Sequence, residues 1–94
     1  MPNQKKIGFV GKPYSEFIEW LLQHGHEVTC FVEKERTYTF PDGVHKVVPL
    51  DFSSKERFLA ELQRLPKEPI DAFVGTYENA VLPKTWLCEW YGLP

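Results

Sequence analysis

Two short stretches carry the residues whose types and spacing could do chemistry. Gly11-Lys12-Pro13-Tyr14 follows one apolar run, and Thr76-Tyr77-Glu78-Asn79 follows another. Between them they offer a cation, two phenols, a carboxylate and a carboxamide, with Glu33 at the end of a third apolar run. Gly11 and the helix start after it could hold an anion through backbone donors and the helix dipole, or Gly11 could simply allow a tight turn. Glu78 could accept hydrogen bonds from a substrate amine or hydroxyl; it could equally cap the helix that follows, as could Asn79.

Other site chemistries are disfavoured. Gly8, Gly11 and the later Glu33 invite a dinucleotide reading, but Gly8-Phe-Val-Gly11-Lys-Pro lacks both the close glycine pair and the third glycine. Pro13 also has no N–H to offer a pyrophosphate. A P-loop is excluded by the absence of a Gly-Lys-Ser/Thr ending. His24 and His26 flank Gly25, which is too thin for a metal site; they read as helix-end histidines set against the dipole. Cys30 and Cys88 form no Cys-x-x-Cys pair and read as structural thiols in a reducing compartment.

The elements that must position these groups follow from periodicity. Lys6–Gly11 reads as a first strand, and Pro13–His24 as a helix with Tyr14, Phe17, Ile18, Leu21 and Leu22 on one face. Pro13 is placed in its first turn and Gly25 at its left-handed stop. Glu27–Glu33 is a second strand, and 35–44 a loop around the Pro41-Asp42-Gly43 turn. Lys46–Leu50 is a third strand; its Pro49 cannot donate to a ladder, so it belongs at a sheet edge.

Ser53-Ser54-Lys55-Glu56 reads as a capping box, opening a helix that carries Phe58, Leu59, Leu62 and Leu65 and ends before Pro66. Ile70–Thr76 is a fourth strand. The last helix starts near 79–81, which puts Pro83 in its first turn, and closes at Gly92. Its Leu82, Trp86 and Trp90, at i, i+4 and i+8, read as a core stripe, partly left for a neighbouring domain.

This alternation predicts a single α/β domain over 1–94, a Rossmann-like half with a four-stranded parallel sheet of order 3-2-1-4. Ligands of such sheets bind at the carboxyl ends of the strands, where strand order reverses. That places Gly11, Lys12, Tyr14, Tyr77, Glu78 and Asn79 together as the expected substrate-binding group.

Composition agrees with a folded domain: 43% hydrophobic, 15% aromatic and 26% charged residues in 94. A net charge of -2 and the lack of a basic stripe argue against nucleic acid, and Lys5-Lys6 reads as a solvated lead-in to strand one. No apolar run of membrane-spanning length and no signal peptide is visible, so a cytoplasmic protein is expected.

Over essentially all 94 residues the chain resembles the pre-ATP-grasp domain that begins ATP-grasp ligases, the superfamily of biotin carboxylase, D-alanine–D-alanine ligase and several purine-synthesis enzymes. The resemblance rests on Lys6-Ile7-Gly8-Phe9-Val10-Gly11, on Gly25-His26-Glu27-Val28-Thr29, and on Tyr77-Glu78-Asn79-Ala80 followed by a helix and Tyr91-Gly92-Leu93-Pro94. It implies the N-terminal fragment of a ligase that activates a carboxylate with ATP and joins it to an amine or thiol.

The nucleotide-binding fold, glycine-rich lid and magnesium-binding acids of that family lie outside this sequence. ATP and Mg would therefore bind mainly to C-terminal ATP-grasp domains of the same chain, its expected partners. The residues above would contribute to the small-molecule substrate side, none as a catalytic acid or base, and the domain would be inactive alone. Two rival readings stand beside this one. The first is an anion- or nucleotide-binding module using Gly11; the second is an interaction domain presenting the Trp86/Trp90 face.

Overall fold

The computed structural model, which describes residues 4–94, has four strands and three helices along the chain, with the second and third strands joined by a loop. They are β1 (Lys6–Val10), α1 (Ser15–Gln23), β2 (Glu27–Glu33), β3 (Lys46–Leu50), α2 (Lys55–Gln63), β4 (Ala72–Val74) and α3 (Val81–Tyr91). A 3₁₀ turn at Glu78–Ala80 leads into α3. The sheet is parallel throughout and ordered β3-β2-β1-β4, as the sequence predicts. Pro49 sits on the edge strand β3, opposite Val32, where its missing N–H leaves no partner unserved.

The two inner strands are buried on both faces, which is why they read as continuous apolar runs rather than alternating ones. One core lies under α2 and α3 and includes Val10, Phe31, Leu50, Phe58, Phe73 and Leu87. The other, built on Phe9, Ile18, Val28 and Cys30, lies under α1. There Tyr38, Phe40 and Val44 of the 35–44 loop take the place of the helix that this crossover lacks. Gly8 has a steric cause: a Cβ there would stand 2.4 Å from the Phe73 ring, which packs edge-on against Phe31 at 5.7 Å. The glycine that invites a dinucleotide reading serves sheet packing.

Four local expectations are corrected. Pro13 precedes α1 rather than lying in its first turn; Tyr14 is the extended N-cap residue, its carbonyl accepting from Ile18 N–H at 3.0 Å. Ser53 does not cap α2. Its N–H and hydroxyl both donate to Asp51 Oδ1, at 2.8 and 2.5 Å, so the cap passes to Ser54, which accepts from Arg57 N–H at 3.2 Å. The shift moves Glu56 one place forward, and the reciprocal half of the capping box does not form.

The third correction is to β4, which pairs over three residues only. Ala72–Val74 pair with Ile7–Phe9 of β1, and Gly75 beyond them packs close against Ala80 and the Val10 carbonyl instead of extending the ladder. The fourth is to the stripe on α3. Pro83 and Leu87 form its buried face, whereas Leu82, one residue ahead, is 61% exposed. Trp86 and Trp90 lie between, half-buried, with Trp86 edge-on to Phe58 at 5.2 Å. α3 ends as expected at Gly92 (φ 68°), and the N–H of Leu93 reaches back to the Cys88 carbonyl at 2.8 Å.

Candidate functional site

Strand order reverses between β1 and β4, and the segments leaving their carboxyl ends meet there. Gly11 has φ +88°, and a Cβ at this position would lie 2.9 Å from that of Ala80 and 3.4 Å from Asn79 Oδ1. The turn after β1 is thus wedged against the 3₁₀ turn. The N–H of Gly11 donates to the Phe31 carbonyl at 2.8 Å. Being engaged within the sheet, it is not free to hold an anion. The geometry favours the tight-turn role for Gly11.

Lys12 is exposed, and its ammonium lies 5.0 Å from the centre of the Tyr77 ring, a cation–π contact that holds the charge beside the switch. Among the described residues no carboxylate lies within ion-pair distance of Lys12. Asn79 reaches across to β2: its Nδ2 donates to Glu33 Oε1 at 2.9 Å. Glu33 is half-buried at the last residue of β2, so three successive strand ends contribute to one group.

Neither Glu78 nor Asn79 caps the last helix. Tyr77 and Ala80 hold the cap positions without side-chain bonds, and Asn79 is taken up by Glu33. Glu78 is exposed, and among the described residues it forms no ion pair. Its charge still favours the start of the helical segment. Tyr14 lies apart, with Glu16, Phe17 and Trp20 along an open groove of about 440 Å³ on the outer side of α1.

Five of the six expected residues therefore lie on the two converging turns, and Tyr14 faces another surface. Glu33 completes the group. Its place at a strand end beside the switch is visible in the sequence; its bond to a residue 46 positions away is not.

The other reactive-looking groups are held in structural roles. Burial pushes the Cys30 thiol up to about 12, which leaves it an inert core residue. His24 stacks on Trp20 at 3.9 Å with its Nδ1 against the Trp20 carbonyl, and His26 Nδ1 accepts from Lys5 N–H. Among the described residues no group of three or more His, Cys, Asp or Glu side chains is placed to hold a metal ion, and no helix is long and apolar enough to cross a membrane.

Similarity to known proteins lies in the fold. No family model matches the chain, and no curated protein matches its sequence. Among solved structures it is similar to an L-amino acid ligase from Bacillus licheniformis, with a TM-score of 0.79 and 22% identity. The match covers 97% of this chain and 24% of that one. The four-stranded parallel α/β unit expected from the resemblance to ligase N-terminal domains is thus a fold found within a ligase.

Proposed function

We propose that this chain is the N-terminal, substrate-side domain of an ATP-dependent ligase of the ATP-grasp type, which joins a carboxylate to an amine or thiol. The observation that carries this reading is the fold match, nearly the whole of this chain superposing on a quarter of an L-amino acid ligase. Lys12, Tyr77, Glu78 and Asn79, at the carboxyl ends of the strands, would form its share of the substrate site. Partners in this reading are the ATP-grasp domains of the same chain, in a cytoplasmic protein.

The Gly11 N–H is engaged with Phe31, and the described residues gather no metal-ligating cluster. In this reading ATP and magnesium bind mainly to the remainder of the ligase, and no chemical step is assigned to this domain. The anion-module alternative loses its central donor with Gly11. The interaction-domain alternative loses much of its surface, because Trp86 and Trp90 pack partly into the core.

The test is made on the protein purified from its natural source at native length. Phosphate release from ATP that requires both a carboxylate and an amine or thiol is expected, with none from residues 1–94 alone. A native protein that leaves ATP untouched with every such pair, or full ligase activity from the 94 residues, would overturn the proposal.

A further inference from the structure

We propose that the groove on the outer side of α1 is an aromatic site for a small quaternary ammonium ion, built from Tyr14, Phe17 and Trp20 with Glu16 among them. It is separate from the strand-end site and does not rest on the ligase reading. The four residues line one open groove of about 440 Å³. That volume falls within the roughly 300–1,000 Å³ of ordinary small-ligand sites. Tyr14, Phe17 and Trp20 recur at every third position and Glu16 stands four before Trp20, spacings that bring side chains together on one side of a helix. α1 buries a different pair, Ile18 and Leu21. Phe17 reaches back to the core, edge-on to Phe9 at 6.0 Å, whereas Tyr14 is 44% and Trp20 50% exposed.

The chemistry of this lining selects a cation. Aromatic rings carry a negative face, and a cation is attracted within about 6 Å of the ring centre. The Phe17 and Trp20 centres are 6.4 Å apart and tilted by 40°, so one charge can stand within that range of both. His24 stacks on Trp20 at 3.9 Å and leaves the ring's other face uncovered by it. Glu16 and Glu19 are exposed, and neither forms an ion pair among the described residues. Glu16 lies in the first turn, where its charge offsets the positive end of the helix that would repel a cation. Among the described residues no lysine or arginine lines the groove. A methylated ammonium suits such walls better than a bare one, because its charge is spread over an apolar surface that gives up little hydration on contact. The lining comes from seven consecutive positions of one helix and its cap, which suits a small free molecule.

The experiment is an NMR titration of the purified protein with choline and, in parallel, with its neutral carbon isostere, the alcohol that carries a tert-butyl group in place of the trimethylammonium. Expected are saturable shifts at the Trp20 indole N–H and at the amides of Glu16 and Phe17 with choline, in the millimolar range of an open site. The isostere should bind about tenfold more weakly. Trp20→Leu keeps an apolar side chain and removes the ring, and should bring choline down to the level of the isostere. Glu16→Gln should weaken choline by about threefold and leave the isostere unchanged.

Equal binding of choline and the isostere overturns the proposal, since the groove would then be an apolar patch with no preference for charge. So does the lack of any saturable shift up to about 100 mM choline. Shifts of the same residues on dilution without ligand would mean that a second copy covers the groove, and binding to phosphatidylcholine vesicles without binding free choline would mean a membrane surface; either overturns a free ligand. Should a variant fail to fold, choline against its isostere on wild-type protein decides alone.

Discussion

The two ends of the sheet handle their polar side chains in opposite ways. At the amino ends of the strands the groups satisfy one another. Lys46 Nζ and His45 Nε2 both meet Glu68, at 2.6 and 3.2 Å, while the Tyr91 hydroxyl donates to the Glu68 carbonyl at 2.8 Å and Asp71 Oδ2 accepts from Lys6 N–H at 2.7 Å. At the carboxyl ends beside the switch, Lys12 and Glu78 are exposed and form no ion pair among the described residues, and Glu33 engages only one of its oxygens, with Asn79. Groups paired with each other are occupied in holding the connectors, and the unneutralised ones are those that the proposed substrate site would use. Even along the carboxyl edge the division holds: under β2 and β3, Lys34 pairs with Glu61, whose other oxygen accepts from Asp51 N–H at 2.7 Å, away from the reversal.

The largest effect should come from the backbone under the open side chains. Gly11→Val forces a branched side chain into φ +88° and against Ala80, and should cost about 3 kcal/mol in urea unfolding. That outcome would sharpen the contrast, showing a rigid frame beneath unneutralised charges. A loss below about 1 kcal/mol would break it, because the switch would then be soft in its backbone as well as open in its side chains.

A milder effect, dependent on pH, is expected at the paired end. Glu68 is held below the usual carboxylate range, first by the hydrogen bond from Lys46 and then by that from His45. A carboxyl lowered in the folded state binds fewer protons than in the unfolded chain, so its contribution is present above the unfolded value, roughly 4 to 4.5, and lost as pH falls through the folded one. Glu68→Gln should therefore lower stability at pH 7 and flatten the acid limb of a stability-against-pH curve. Asp51, lowered chiefly by the Ser53 hydroxyl, and Glu61, lowered chiefly by Lys34, share that limb, so the slope falls without vanishing. An unchanged slope would mean that the Glu68 contacts do not persist in solution.

Strand order, the edge position of Pro49 and the stop at Gly92 were legible because each follows from local chemistry: a missing N–H, a left-handed residue, an apolar run. What escaped depended on partners distant in the chain or in competition with near ones. Ser53 and Ser54 are equal candidates for a cap until Asp51, held at the end of β3, takes both donors of the first. The buried face of α3 lies one residue on from the Leu82, Trp86 and Trp90 stripe, at Pro83 and Leu87, because large indoles outweigh a proline in the periodicity. The switch itself was legible as a place. The Asn79–Glu33 bond across it was not, since nothing local marks either residue as the other's partner.

That bond makes the smallest and sharpest test of the comparison. If Asn79 serves to aim Glu33, Asn79→Ala removes one exposed hydrogen bond and should shift unfolding stability by no more than about 0.5 kcal/mol. A double-mutant cycle of Asn79→Ala with Glu33→Gln should give a coupling in stability of the same small size. If instead the bond is what pins the 3₁₀ turn to the sheet, the single substitution should cost well over 1 kcal/mol and expose the amides of Glu78–Ala80 to hydrogen exchange. The wedge of Gly11 against Ala80 argues for the first outcome. Steric contact already fixes the turn, so the carboxamide is free to hold Glu33 in position rather than to hold the fold.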